Sequence, residues 1–124
     1  MAIYVVEKLV DGVMVLELRG RIILGPETEA VRSKIKALLE AGTLHIVLDL
    51  ENIIYVDSVG LSTLISSYTS ARKAGGYVKL LHLPHGVRHL LQVTRLITVF
   101  DVYEDLHEAV RSFGASDALR PLGT

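Results

Sequence analysis

From residue 13 onward, short apolar stretches with strand character alternate with longer stretches whose apolar residues recur every three or four positions. That alternation leaves a chain few options. Strands separated by helices run parallel, are joined by right-handed crossovers, and carry the helices on the sheet. The start of the chain reads differently. Residues 3–10 and 13–20 are two strand-like runs joined by Asp11-Gly12. Asp-Gly suits a two-residue type I′ turn, which needs positive φ at both central positions. In the second run Met14, Leu16 and Leu18 fall on one side, and Glu17 and Arg19 on the other. The expected fold is therefore α/β in one domain. Its sheet is mixed but mostly parallel, of about five strands, opened by an antiparallel hairpin and accompanied by about four helices.

After a connection over residues 21–26, a helix is predicted over 27–41, with Val31, Ile35, Leu38 and Leu39 as its apolar stripe and Gly42 as its stop. Its Arg32, Lys34 and Lys36 read as a solvated face. The nearly continuous apolar run at 45–50 suits a strand covered on both sides. Asn52 is read as a break before residues 53–56. A second helix runs from Ser58 to about Ala74, ended by Gly75-Gly76. Leu61, Leu64, Ile65, Tyr68 and Ala71 make its apolar face. A strand is predicted at 77–83, a short helix from Pro84 with Val87, Leu90 and Leu91 inward, and a last strand within 96–103 around Thr98-Val99-Phe100. The final helix, 104–113, buries Leu106, Ala109, Val110 and Phe113. The domain is expected to span 1–113, with 114–124 as a flexible tail lacking periodicity.

The chain has 124 residues, a net charge of −1 and no cysteine. Near-neutral charge offers no basic surface for a nucleic-acid backbone. Without cysteine there is no disulfide framework, thiolate metal site or catalytic thiol. No apolar run approaches the roughly 18 residues of a membrane span, and no signal peptide is evident, so a cytoplasmic protein is expected.

The chemistry concentrates at Tyr55-Val56-Asp57-Ser58-Val59-Gly60-Leu61, where an apolar run gives way to a helix. Aspartate and serine both cap helix N-termini through a side-chain oxygen. Capping alone would account for Ser58. The second helix adds an unusual outer face of Ser62, Ser66, Ser70 and Lys73, edged by Ser67 and Thr69. Such residues are weaker helix formers than the Glu, Lys and Arg expected on a solvated face. A small, mostly uncharged face suits close approach by another protein.

Asp57-Ser58-Val59-Gly60-Leu61 between a strand and a helix resembles the signature of STAS domains, specifically of anti-sigma factor antagonists. The resemblance covers roughly residues 5–113. It extends to Ile46-Val47-Leu48-Asp49-Leu50, to Ala71-Arg72-Lys73-Ala74-Gly75-Gly76, and to Thr94-Arg95-Leu96 through Val99-Phe100. Two departures stand out. Val59 replaces a second hydroxyl that many members carry, which implies one modified residue. The loop Ile22-Ile23-Leu24-Gly25 lacks the acidic residue that often faces the partner.

The resemblance implies a switch, not an enzyme. Such proteins bind an anti-sigma factor that is also a serine kinase, and so free a sigma factor that drives transcription in bacteria. Phosphorylation of the serine, here Ser58, breaks the complex, and a serine phosphatase resets it. The implied partner surface is Asp57, Ser58, Val59, Gly60, Leu61, Ser62 and Ser66, with Gly60 giving backbone-close access. The implied chain is a monomer or weak homodimer that needs no cofactor. The alternative within the family is an adaptor or scaffold in a signalling or membrane-transport assembly, with Ser58 unmodified.

Rivals from other classes are weaker. Val56-Asp57-Ser58-Val59-Gly60 is not the Gly-x-Ser-x-Gly elbow of a hydrolase. His82, His85 and His89 cluster in sequence without a His-Glu-x-x-His pattern and read as surface or strand-end residues. No phosphate-binding glycine loop is present.

Overall fold

The computed structural model describes residues 3–114. Two strands, β1 (Tyr4–Val10) and β2 (Val13–Ile22), form the expected hairpin. Asp11 and Gly12 take φ of 49° and 81°, as a type I′ turn requires. Helix α1 (Pro26–Glu40) leads to β3 (His45–Val56), α2 (Ser58–Lys73), β4 (Tyr77–Leu81) and α3 (His85–Val93). A single 3₁₀ turn at Leu96–Thr98 precedes β5 (Val102–Tyr103) and α4 (Leu106–Arg111). The sheet order is β1-β2-β3-β4-β5. The first pair is antiparallel and the remaining three are parallel. The α/β class, the mixed five-stranded sheet and the four helices are those expected from the alternation.

Strands laid down in chain order put the crossover helices on one face. Leu16 and Leu18 of β2, Ile46, Leu48 and Leu50 of β3, and Val78 and Leu80 of β4 form the main core with Val31, Ile35, Leu64, Val87 and Leu91 of the three helices. Helix α4 returns beneath the other face. There Ala109 and Val110 pack with Val13, Val15, Val47 and Leu81.

Two expectations fail. Asn52 does not interrupt its strand: β3 runs unbroken for 12 residues, and Asn52 pairs with Arg19. The strand bulges without breaking: its register against β2 shifts twice, and each time β3 carries one residue more than β2, over residues 49–52 opposite 17–19 and over 53–55 opposite 20–21. The last strand is not centred on Thr98-Val99-Phe100. Arg95 enters the left-handed region (φ 61°) and starts the 3₁₀ turn. Phe100 is buried edge-on to Tyr68. Pairing with β4 begins only at Val102. Burial of Phe100 overrides the strand propensity of the β-branched run.

Boundaries shift elsewhere by a few residues. β4 ends at Leu81 rather than 83, and α4 starts at Leu106, capped by Asp105, whose carboxylate accepts the Glu108 N–H (3.0 Å). The tail from residue 115 lies outside the described residues.

Candidate functional site: the N-terminus of α2

The joint between β3 and α2 is built around Asp57. Extended backbone at Asp57 (φ −90°, ψ −176°) makes it the N-cap, and Ser58 is the first helical residue. Asp57 Oδ1 accepts the Gly60 N–H at 2.7 Å, and Oδ2 accepts the Leu24 N–H at 2.9 Å. Its own N–H donates to the Ile22 carbonyl at 3.3 Å. One side chain thus ties the end of β2, the β2–α1 loop and the first turn of α2 together. The backbone N–H groups of Leu24 and then Gly60 hold its carboxyl below the usual range, so Asp57 is ionised at neutral pH. Sequence reasoning shared the cap between Asp57 and Ser58. The structure gives it wholly to Asp57.

That division frees Ser58. Its side chain is exposed, and its hydroxyl has no hydrogen-bond partner among the described residues. Its carbonyl accepts from Ser62 Oγ at 3.0 Å. Along the same helix Ser62, Ser66, Thr69, Ser70 and Lys73 are exposed. Ser66 and Thr69 donate to backbone carbonyls at Thr63 and Ile65 (both 3.1 Å). Hydroxyls satisfied within their own helix leave small bumps and few free donors. A surface pressed against them therefore strands few polar groups. Ser67, placed at the edge of this face from sequence, is instead buried and donates to Thr63 O at 2.8 Å.

Gly60 and Leu61 are not part of the outer surface. Gly60 is buried against β2, where a Cβ would come within 1.9 Å of the Ile22 carbonyl oxygen. Glycine is needed there so that α2 can seat on the strand end, not to open backbone to a partner. Leu61 is buried in the main core. Val59 is half-buried at the rim.

Three exposed apolar side chains lie on the segments that meet at this joint, and none of them was assigned to the partner surface from sequence. Leu24 (72% exposed) sits on the loop clamped by Asp57, and Ile54 (67%) and Tyr55 (58%) lie on the last turn of strand before it. The signal for Ile54 and Tyr55 was their place in an apolar run that outlasts its neighbour. β3 loses β4 after Asp49 and continues to Val56. On the other side of the serines, a groove of about 530 Å³ separates α1 from α2, with Ile35 and Leu39 on its floor and Arg32 and Lys36 on its rim. Arg32 bridges it, donating to Thr63 Oγ1 at 3.3 Å. No helix among the described residues is long and apolar enough to cross a membrane.

The fold is an α/β domain, and its candidate site is a clamped helix N-terminus carrying an exposed hydroxyl. The family model for STAS domains matches residues 4–109, and the chain belongs to the STAS domain family. It is 24% identical over 104 residues to BtrV of Bordetella bronchiseptica, named a putative anti-sigma factor antagonist, covering 84% of this chain and 89% of that one. An anti-sigma factor antagonist from Mycobacterium paratuberculosis superposes with a TM-score of 0.75 at 25% identity over 89% of this chain and 92% of its own. The antagonist SpoIIAA matches in its unphosphorylated form (TM-score 0.67, 19% identity, 88% and 96% covered). The Bacillus protein in its phosphorylated form matches as well (0.70, 18%, 90% and 100%).

Proposed function

We propose that this chain is an anti-sigma factor antagonist, cytoplasmic and non-catalytic. Unphosphorylated, it docks an anti-sigma factor serine kinase on the first turns of α2. Phosphorylation of Ser58 by that kinase releases it, and a serine phosphatase restores it. The observation that carries this reading is the division of labour at the joint. Asp57 does the structural capping, and Ser58 beside it is exposed, unpartnered and replaceable. Names borne by relatives support the same role, and SpoIIAA has been solved both with and without phosphate.

The physics of release follows from charge. A phosphoserine adds about −1.5 to −2 charges and three acceptor oxygens. In the free protein the new group stands in water at a helix N-terminus, where negative charge is tolerated. Against a partner it must be desolvated next to ionised Asp57. A penalty of about 3 kcal/mol weakens binding on the order of a hundredfold. The docking surface is Ser58, Ser62 and Ser66 with Val59 and Asp57 at its edge.

The test uses Ser58→Ala and Ser58→Glu proteins as paired baits in lysate of the source organism, with mass spectrometry of what each retains. An ATP-binding anti-sigma kinase on the alanine bait and not on the glutamate bait is the expected result. Incubation of that kinase with wild-type protein and ATP should then place one phosphate on Ser58. The same non-kinase partner on both baits would overturn the switch and favour the adaptor role.

A further inference from the structure

We infer that Asp49, Glu51 and His82 form a binding site for a divalent transition metal of the zinc class, at the fork where β3 parts from β4. Parallel pairing of the two strands ends at Asp49 and Leu81. His82 is the next residue, held at φ 55° with its N–H donating to the Tyr103 carbonyl at 2.9 Å. That backbone setting brings its ring to the carboxylates of β3. His82 Nδ1 lies 3.2 Å from Asp49 Oδ1 and 3.8 Å from Glu51 Oε2. One ligand atom from each of the three side chains falls within 4.8 Å of the others.

The spacing suits a metal. Zinc takes imidazole nitrogen and carboxylate oxygen at about 2.0–2.2 Å. Neighbouring donors around such an ion therefore stand roughly 3–3.5 Å apart. The Asp49–His82 pair already has that separation. Only Glu51 must draw in, and its side chain is 65% exposed and free to do so. Asp49 is the anchored ligand: its side chain is 12% exposed, and its Oδ1 also accepts the Glu51 N–H at 3.1 Å. Two carboxylates offset a dication, and the imidazole nitrogen favours zinc, cobalt or nickel over calcium and magnesium, which take oxygen. Three protein ligands leave a position open to solvent. An ion pair of His82 with Asp49, joined by Glu51 at 3.8 Å from the same nitrogen, is the competing account of these distances, and the zinc titration separates the two.

The competing metal-binding pair on this protein is His85 and His89, both exposed and one helical turn apart on α3. The experiment therefore titrates zinc into tag-free protein by calorimetry at neutral pH, for wild type, Glu51→Gln, His82→Ala and the double variant His85→Ala/His89→Ala. One ion per chain is expected in wild type and in the double variant. His82→Ala and Glu51→Gln should each weaken binding by at least the roughly 10–100-fold that even outer-shell changes cost. Glu51 is too exposed for its substitution to endanger folding, so that arm stands if His82→Ala does not fold. Zinc should also raise the melting temperature of wild type by more than that of Glu51→Gln at the same concentration. Binding that survives in His82→Ala and vanishes in the α3 double variant overturns the assignment. So does the absence of saturable binding in folded wild type. Neither outcome bears on Ser58.

Discussion

Two adjacent residues with similar capping chemistry have opposite consequences here. Ser58→Ala removes an exposed hydroxyl with no partner, so stability should change by no more than about 0.5 kcal/mol. Asp57→Ala removes acceptors for two backbone N–H groups on different elements, and chemical denaturation should place it clearly below wild type. The charge state adds a pH signature. Asp57 titrates lower in the folded chain than its ordinary carboxylate value. Its contribution is therefore complete above the unfolded pKa of about 3.9 and disappears as pH falls through the lower folded value. Denaturation midpoints measured from pH 6 downward should fall more steeply for wild type than for Asp57→Ala in that acid window. A parallel pair of curves would remove Asp57 from the clamp. Gly60→Ala tests the third member. A Cβ within 1.9 Å of the Ile22 carbonyl can be relieved only by moving backbone, at a cost of about 1–3 kcal/mol. The motif was legible as residues, but the roles within it were not. Which of two capping side chains turns inward depends on the Leu24 N–H, 33 residues away in sequence.

Among the elements, those with strong periodicity were legible: the Asp11-Gly12 hairpin, both long helices and the strands at 45 and 77 are where the pattern puts them. β5 was misplaced because Phe100 is drawn into the core beside Tyr68. The largest surprise within an element is Lys79. Nothing in Tyr77-Val78-Lys79-Leu80-Leu81 distinguishes a buried lysine from one on a solvated face, yet its side chain is 1% exposed. Its Nζ donates to Ser112 Oγ at 2.9 Å and to the Ser112 carbonyl at 3.2 Å, and it stands 4.3 Å from the centre of the Phe113 ring. Asp101 lies 3.7 Å away. A charge buried from one strand thus fastens the end of α4 to the otherwise sparsely covered face of the sheet. Lys79→Met keeps the stem and drops the ammonium. It should lose about 1–3 kcal/mol, the cost of leaving buried acceptors unpaired. Hydrogen exchange should accelerate in α4 while α1 and α2 keep their protection. Uniform acceleration would mean that α4 opens only with the whole domain.

For the whole molecule, the question is whether the proposed phosphorylation of Ser58 would act by reshaping the domain or by changing its surface. Everything that holds α2 in place lies inward of Ser58. Leu61 and Leu64 sit in the main core, Gly60 packs on Ile22, and Asp57 closes the joint. The Ser58 hydroxyl makes no hydrogen bond to another element among the described residues. Two packings of comparable energy would be needed for a conformational switch. A rigid domain with a new surface charge needs none, since differential contact with the partner suffices to move an equilibrium. The expected result is therefore local. Amide chemical shifts of wild type and of Ser58→Glu should differ in the first two turns of α2, at Leu24 and in the end of β3, and coincide through β4, β5 and α4. Melting temperatures should agree to within a few degrees, the span of about 0.5 kcal/mol in a domain of this size. Shifts that spread across the sheet to α4 would mean that the charge is read through the core. The partner would then be recognising a changed fold rather than a changed face.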